Sequence, residues 1–231
     1  MKLICNNCNT ENDLFQLNCS NCGAVLREKV ANIDLFSTLW LLIESPVRGI
    51  KKIIYAEHKN YLLPLLLLLA IKLLLISFFL QSVLLMPLNY TERLIQNIVV
   101  GLSAVTFSIL LFPLFQQIIF KILKINTKYK NNLSLLIYSQ FPLLLLLLLV
   151  LPVQFALFGK FWFFANPSPF IIKENAAYVL SGMETLFFIW GIILFALSNY
   201  IQTDSKIISL LVALVWFFWI TGLFFLIPYG V

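Results

Sequence analysis

Apolar and polar positions alternate in two different regimes along this chain. Residues 1–28 are polar and Asn-rich, with no apolar run long enough to form a buried helix. From Tyr61 onward the pattern turns almost continuously apolar, in five runs: roughly 61–88, 94–123, 133–158, 176–199 and 207–227. Each reaches the ~20 residues that a helix needs to cross a hydrocarbon core of ~30 Å. Prolines 64, 87, 113, 142, 152 and 228 sit mostly near the ends of these runs, with Pro113 and Pro152 placed to kink their helices.

The intervening residues 29–60 behave differently. The run IDLFSTLWLLIES is apolar but too short to span, and Pro46 ends it. In the next piece, VRGIKKIIYAEHKNY, Val47, Ile50, Ile53 and Ile54 recur at helical spacing, with Arg48, Lys51 and Lys52 on the other side. That pattern predicts a basic amphipathic helix. The expected place of such a helix is the membrane surface; the alternative is a linker helix packed on the protein.

Composition supports the membrane reading. Of 231 residues, 61% are hydrophobic and only 11% charged, against about 25% charged in soluble domains. The mean hydropathy is +0.95. Too few polar side chains are present to cover a water-exposed globule. The 16 Lys+Arg outweigh the 10 Asp+Glu. Because the cations cluster beside apolar runs, the excess indicates the cytoplasmic-loop bias of membrane proteins, and no nucleic acid is expected as a partner. Arg48, Lys51, Lys52 and Lys59 precede the first run, and Lys121, Lys124, Lys128 and Lys130 lie between the second and third. Arg93, Lys160 and Lys173 fall on the opposite side, offset by Glu92 and Glu174. The expected orientation is N-terminus cytoplasmic and, with five spans, C-terminus outside. The aromatic clusters at 161–164 and 216–219 fit interfacial belts in part. The stretch around them, 159–175, is expected to lie on the outer surface or dip into it.

All four cysteines are in the polar head. Cys5 and Cys8 form one Cys-x-x-Cys, Cys19 and Cys22 a second, ten residues further on. Zn²⁺ takes four thiolates at tetrahedral corners, and a two-residue gap lets one tight turn present two sulfurs. Gly23 follows the second pair and Asn9 the first, two residue types that tolerate the positive φ such a turn needs. The pattern resembles the zinc-ribbon family, with LFQLN and AVL as candidate strands. The competing reading, a redox Cys-x-x-Cys or a disulfide pair, fits a reducing cytoplasm and two matched knuckles less well. Four thiolates leave no open coordination position, so the expected role of the metal is structural. The sequence therefore predicts an all-α polytopic membrane protein of five transmembrane helices with a small N-terminal zinc ribbon: residues 1–28 the ribbon, 29–60 a juxtamembrane amphipathic segment, 61–231 the five-span domain.

Two ionisable residues fall inside the runs, Lys72 in the first and Glu184 in the fourth. Counting ~1.5 Å per residue places them roughly 15 Å and roughly 19–20 Å from the cytoplasmic face. Charges at such depth are paired or functional. The depths predict an intramembrane ion pair, either a neutralised structural pair or part of a polar pathway. Gln116, Gln117, Gln140 and Gln154 are expected to hydrogen-bond between helices.

No catalytic constellation accompanies these features. His58 has no partner set, HExxH is absent, Ser103 in GLSAV has no histidine in a span to activate it, and no phosphate-binding glycine loop occurs. The chain is not expected to be an enzyme, and no small-molecule substrate is identified.

The stretch FKILKINTKYKNNLSLLIYSQFPLLLLLLLVLP, with its basic loop before the third span and YSQFP at 138–142, resembles the Yip domain (Ypt/Rab-GTPase-interacting-protein family). The upstream SPVRGIKKII is similar to bacterial members, and the likeness extends over about residues 36–227. It implies five membrane helices behind a cytoplasmic N-terminal region and, for a bacterial member, a place in the inner membrane. Eukaryotic members bind small GTPases and shape or sort membranes; no residue here carries that contact over. The expected role is a membrane scaffold that contacts lipids and a cytoplasmic or membrane protein partner, with the ribbon as interaction module. The alternative is a transporter or channel subunit using Lys72 and Glu184.

Overall fold

The computed structural model describes residues 2–84, 94–164 and 167–226. Arg93, Glu92, Pro87, Pro228 and the outer tips of the first and fifth runs lie outside the described residues.

The polar head forms one small sheet and the segment after it a second. Strands β1 (Lys2–Ile4) and β2 (Glu11–Asp13) pair antiparallel around the first knuckle, with Leu3 opposite Asn12. The candidate strands LFQLN and AVL contribute only an isolated antiparallel bridge, Asn18 to Val25. With so few residues between the cysteine pairs, the chain closes a turn there before a strand can develop. Strand β3 (Val30–Asn32) leads into α1 (Leu35–Glu44) and α2 (Pro46–Tyr55), and β4 (Ala56–His58) returns to pair with β3 in parallel, Val30 opposite Ala56 and Asn32 opposite His58. Pro46 stops α1 and starts α2, since proline suits a first helical turn, where its missing N–H costs nothing.

The α1–α2 hairpin is closed by a glycine. A Cβ on Gly49 would lie 3.0 Å from the Leu42 backbone nitrogen and 3.0 Å from Leu42 Cδ2. Gly49→Val should therefore open the seam and destabilise the fold by about 1–3 kcal/mol. Thermal unfolding in detergent checks this, and a midpoint equal to wild type refutes the close-approach role.

The amphipathic pattern of α2 is real, but its apolar face is turned inward. Ile50, Ile53 and Ile54 are buried in the protein core, while Val47 stays exposed. The expected membrane-surface placement is thus corrected: α2 packs its Ile face on the protein, as the linker-helix alternative has it. On α1, Phe36, Trp40 and Ile43 stand exposed at helical spacing.

Five of the described helical stretches are long and apolar enough to cross a membrane: Leu62–Leu84, Ile95–Ile122, Tyr129–Phe158, Glu174–Thr203 and Lys206–Leu226. The chain is thus a membrane protein in architecture. The first span is α3 (Leu62–Leu84) and the second α4 (Leu94–Ile122), which carries Pro113 without a break. The third is divided into α5 (Tyr129–Ser139), α6 (Phe141–Leu149) and α7 (Leu151–Phe158). Its breaks at Gln140 and Val150 precede Pro142 and Pro152, because proline removes an N–H and crowds the preceding turn. Pro142 therefore lies mid-span rather than near an end. Two short helices follow, α8 (Phe161–Phe164) and α9 (Pro169–Ile172), then α10 (Glu174–Thr203) and α11 (Lys206–Leu226).

Two aromatic clusters depart from an interfacial belt. Trp162 and Trp216 are buried. Trp162 stacks on Phe79 at 4.7 Å, and Trp216 meets Phe112 edge-on at 4.9 Å. Interhelical amide bonds form where Gln116 Nε2 donates to Asn199 Oδ1 at 2.6 Å. Gln117 instead donates to the Thr127 carbonyl at 3.3 Å. The side-chain amide of Gln140, at the first break, has no hydrogen-bond partner among the described residues and packs against Gly191.

Candidate functional sites: a thiol cluster and an intramembrane ion pair

The four thiols converge because two knuckles repeat one backbone plan. In the first, the N–H of Asn9 donates to the Cys5 carbonyl at 2.9 Å and Asn9 adopts φ 55°. In the second, the N–H of Gly23 donates to the Cys19 carbonyl at 3.1 Å and Gly23 adopts φ 72°. These are the positions where a left-handed residue closes the turn. Asn12, buried within the head, joins the two halves. Its Oδ1 accepts from the Ser20 N–H at 2.8 Å, and its Nδ2 donates to the Thr10 carbonyl at 2.9 Å and toward Cys19 Sγ at 3.5 Å. Nothing in an Asn-rich segment distinguishes Asn12 from Asn6 or Asn7 by sequence alone.

The sulfurs of Cys5, Cys8, Cys19 and Cys22 all lie within 4.8 Å of one another. Cys5–Cys22 and Cys8–Cys19 are each 3.5 Å apart. A tetrahedral ion with metal–sulfur bonds of ~2.3 Å requires sulfur separations of roughly 3.8 Å. The donor set and its spacing therefore fit one four-coordinate metal ion. Hydrogen bonds from the Thr10 side chain and backbone hold the Cys8 thiol down, while burial and the neighbouring Cys22 and Cys8 sulfurs push Cys5 up, as crowded thiols that cannot all ionise without a cation between them.

The head is docked on the membrane helices. Leu14 is buried in the common core, and Lys128 Nζ sits 4.4 Å over the Phe15 ring. Arg27 donates to the carbonyls of Phe15 at 2.8 Å and Gln16 at 3.1 Å while its guanidinium lies 4.6 Å over Tyr55. Cation–ring contacts of this kind are worth about 0.5–2 kcal/mol each. Ile4 and Val25 of the head are exposed.

Inside the bundle, Lys72 on α3 and Glu184 on α10 come together. Lys72 Nζ is 2.5 Å from Glu184 Oε1, with the Lys72 side chain 2% and that of Glu184 14% exposed. A third residue completes the group: Gln154 on α7 donates through Nε2 to the same Oε1 at 2.9 Å. The sequence marks Gln154 as polar and near a span, but depth along a proline-broken helix cannot be read by counting residues. The trio borders a cavity of about 210 Å³ walled by Phe79, Trp162, Phe188 and Phe224. Glu184 Oε2 is buried beside it with no hydrogen-bond partner among the described residues. No protein-family model, curated protein or solved structure matches the chain.

Proposed function

We propose that the protein is a membrane-embedded scaffold whose N-terminal zinc ribbon presents a partner-binding surface in the cytoplasm. One observation carries the reading: the head is fixed on the helices through Leu14, Phe15 and Arg27 while Ile4 and Val25 remain exposed. An interaction module held in this way needs no ordering on binding, which favours affinity. Zinc is the ion that four thiolates at this spacing suit best, and the closed ligand set makes its role structural and non-catalytic. The cation-rich loops on the ribbon side support a cytoplasmic N-terminus and an outward C-terminus. Five spans behind a ribbon and a basic loop also accord with a bacterial Yip-like protein of the inner membrane.

The test is proximity labelling from the N-terminus in native membranes, comparing wild type with I4D/V25D. Loss of a defined set of neighbours in the variant, with zinc content and expression unchanged, supports the reading. An identical neighbour set sinks it.

A transporter or channel subunit is the second reading. The unpartnered Glu184 Oε2 beside an apolar cavity favours it, since a solute with one hydrogen-bond donor would complete that group.

A further inference from the structure

A second cavity, of about 440 Å³, opens between the docked ribbon and the helices beneath it. Four cations line it: Arg27 from the ribbon, Lys59 from the loop after β4, and Lys128 and Lys130 from the start of α5. Glu57 is the single carboxylate in the lining, and its partner is Lys29, at 3.4 Å. Among the described residues none of the four cations is paired with a carboxylate. Three of them are held by neutral groups. Arg27 bonds backbone carbonyls and Lys128 rides on Phe15. Lys59 Nζ donates to the carbonyls of Ile53, Ile54 and Ala56 that end α2. These contacts place Arg27, Lys59 and Lys128, and the four cations outnumber the single carboxylate of the lining.

The cations act on one another. Lys59 is only 7% exposed. Burial, and then the charges of Lys130, Arg27 and Lys128, hold its ammonium down to about 7. The same cleft receives the N-terminus of α5, where Lys128 makes no side-chain cap. Backbone N–H groups and the positive end of the helix dipole favour an anion there. The cleft also sits where α3 and α5 begin, at Leu62 and Tyr129, which is the depth of lipid headgroups.

We infer that this cleft binds a phosphate group, held by Lys128, Lys130 and Arg27 against the start of α5. Two sources share that chemistry: the headgroup of an anionic phospholipid, and a free phosphorylated small molecule. The site is separate from the exposed Ile4–Val25 face and does not depend on the scaffold reading.

The experiment uses the full zinc-loaded chain in detergent. Native mass spectrometry with added phosphatidic acid, and separately phosphatidylcholine, reads lipid binding. Thermal shift with inorganic phosphate and glycerol 3-phosphate reads the free source. Phosphatidic acid should bind at least several-fold tighter than phosphatidylcholine. K128Q/K130Q should weaken it roughly tenfold to thirtyfold, from about 1 kcal/mol per basic residue near an anionic surface. K51Q/K52Q removes the same charge from α2 and should leave binding unchanged. A thermal shift with glycerol 3-phosphate that K128Q/K130Q abolishes assigns a free ligand; lipid binding without that shift assigns a headgroup. The inference is overturned if neither phosphate source binds, if both double variants weaken binding equally, or if poly-glutamate competes as well as phosphatidic acid. Both lysines are exposed, and unchanged zinc content with a cooperative unfolding transition certifies that the variant is folded, the lost Lys128–Phe15 contact lowering the midpoint only slightly.

Discussion

A Cys19→Ser substitution is expected to reduce bound zinc from one equivalent per chain to none and to unfold residues 1–28, leaving the five spans helical. Cys19 is buried at 5% exposure and is the thiol toward which both Asn12 Nδ2 and the Asn21 N–H point. The head contains three-residue strands and little apolar burial of its own, so under the proposed zinc assignment metal binding would supply its folding free energy, on the scale of about 10–16 kcal/mol in comparable small modules. Elemental analysis of purified protein gives the first readout. Trypsin gives the second, since Arg27 and Lys29 become cleavable once the docked head opens. Zinc retained at one equivalent in the variant, or a different metal in the wild type, contradicts the assignment.

The next largest effect concerns Lys72. Lys72→Met alone leaves Glu184 buried with only Gln154 to answer it, and removing one partner of a buried pair costs about 3–5 kcal/mol. Replacing both, as Lys72→Met with Glu184→Leu, should recover most of that loss, because no charge then remains to desolvate. The exchange Lys72→Glu with Glu184→Lys should also outperform either single change. Unfolding midpoints in detergent provide the double-mutant cycle. An interaction energy near zero would mean that the two charges, though adjacent, do not support each other.

These sites differ in how they could be read from residues. Hydropathy located the spans because a run of some twenty apolar residues has few folds open to it. Boundaries moved where polar residues join a helix under cover: the third span starts at Tyr129 rather than Leu133, with Asn131 and Asn132 buried. The cysteine pairs were legible because ligand spacing is a local property. The fate of α2 was not. Amphipathicity says that the Ile50–Ile53–Ile54 face is covered, but not by what, and α5 and α10 rather than lipid pack against α2. The docking of the ribbon was equally hidden, since it rests on Phe15 and Arg27, ordinary residues until Lys128 and Tyr55 are brought to them. The basic cleft draws its cations from three separate stretches of chain and has no linear signature.

The parallel pairing of β3 with β4 also determines how load travels through the molecule. Along the chain, the whole α1–α2 hairpin separates the ribbon from the first span. Across the β3–β4 ladder that hairpin is bypassed, and Lys59, Asn60 and Tyr61 alone stand between His58 and Leu62. The short connection is itself braced: Lys59 is tied to the end of α2, and Tyr138 of the third span donates to the Asn60 carbonyl at 2.9 Å. A pull on the ribbon thus has a short route to the first and third spans that does not run the length of the hairpin, beside the contacts that dock the ribbon and α2 on the bundle.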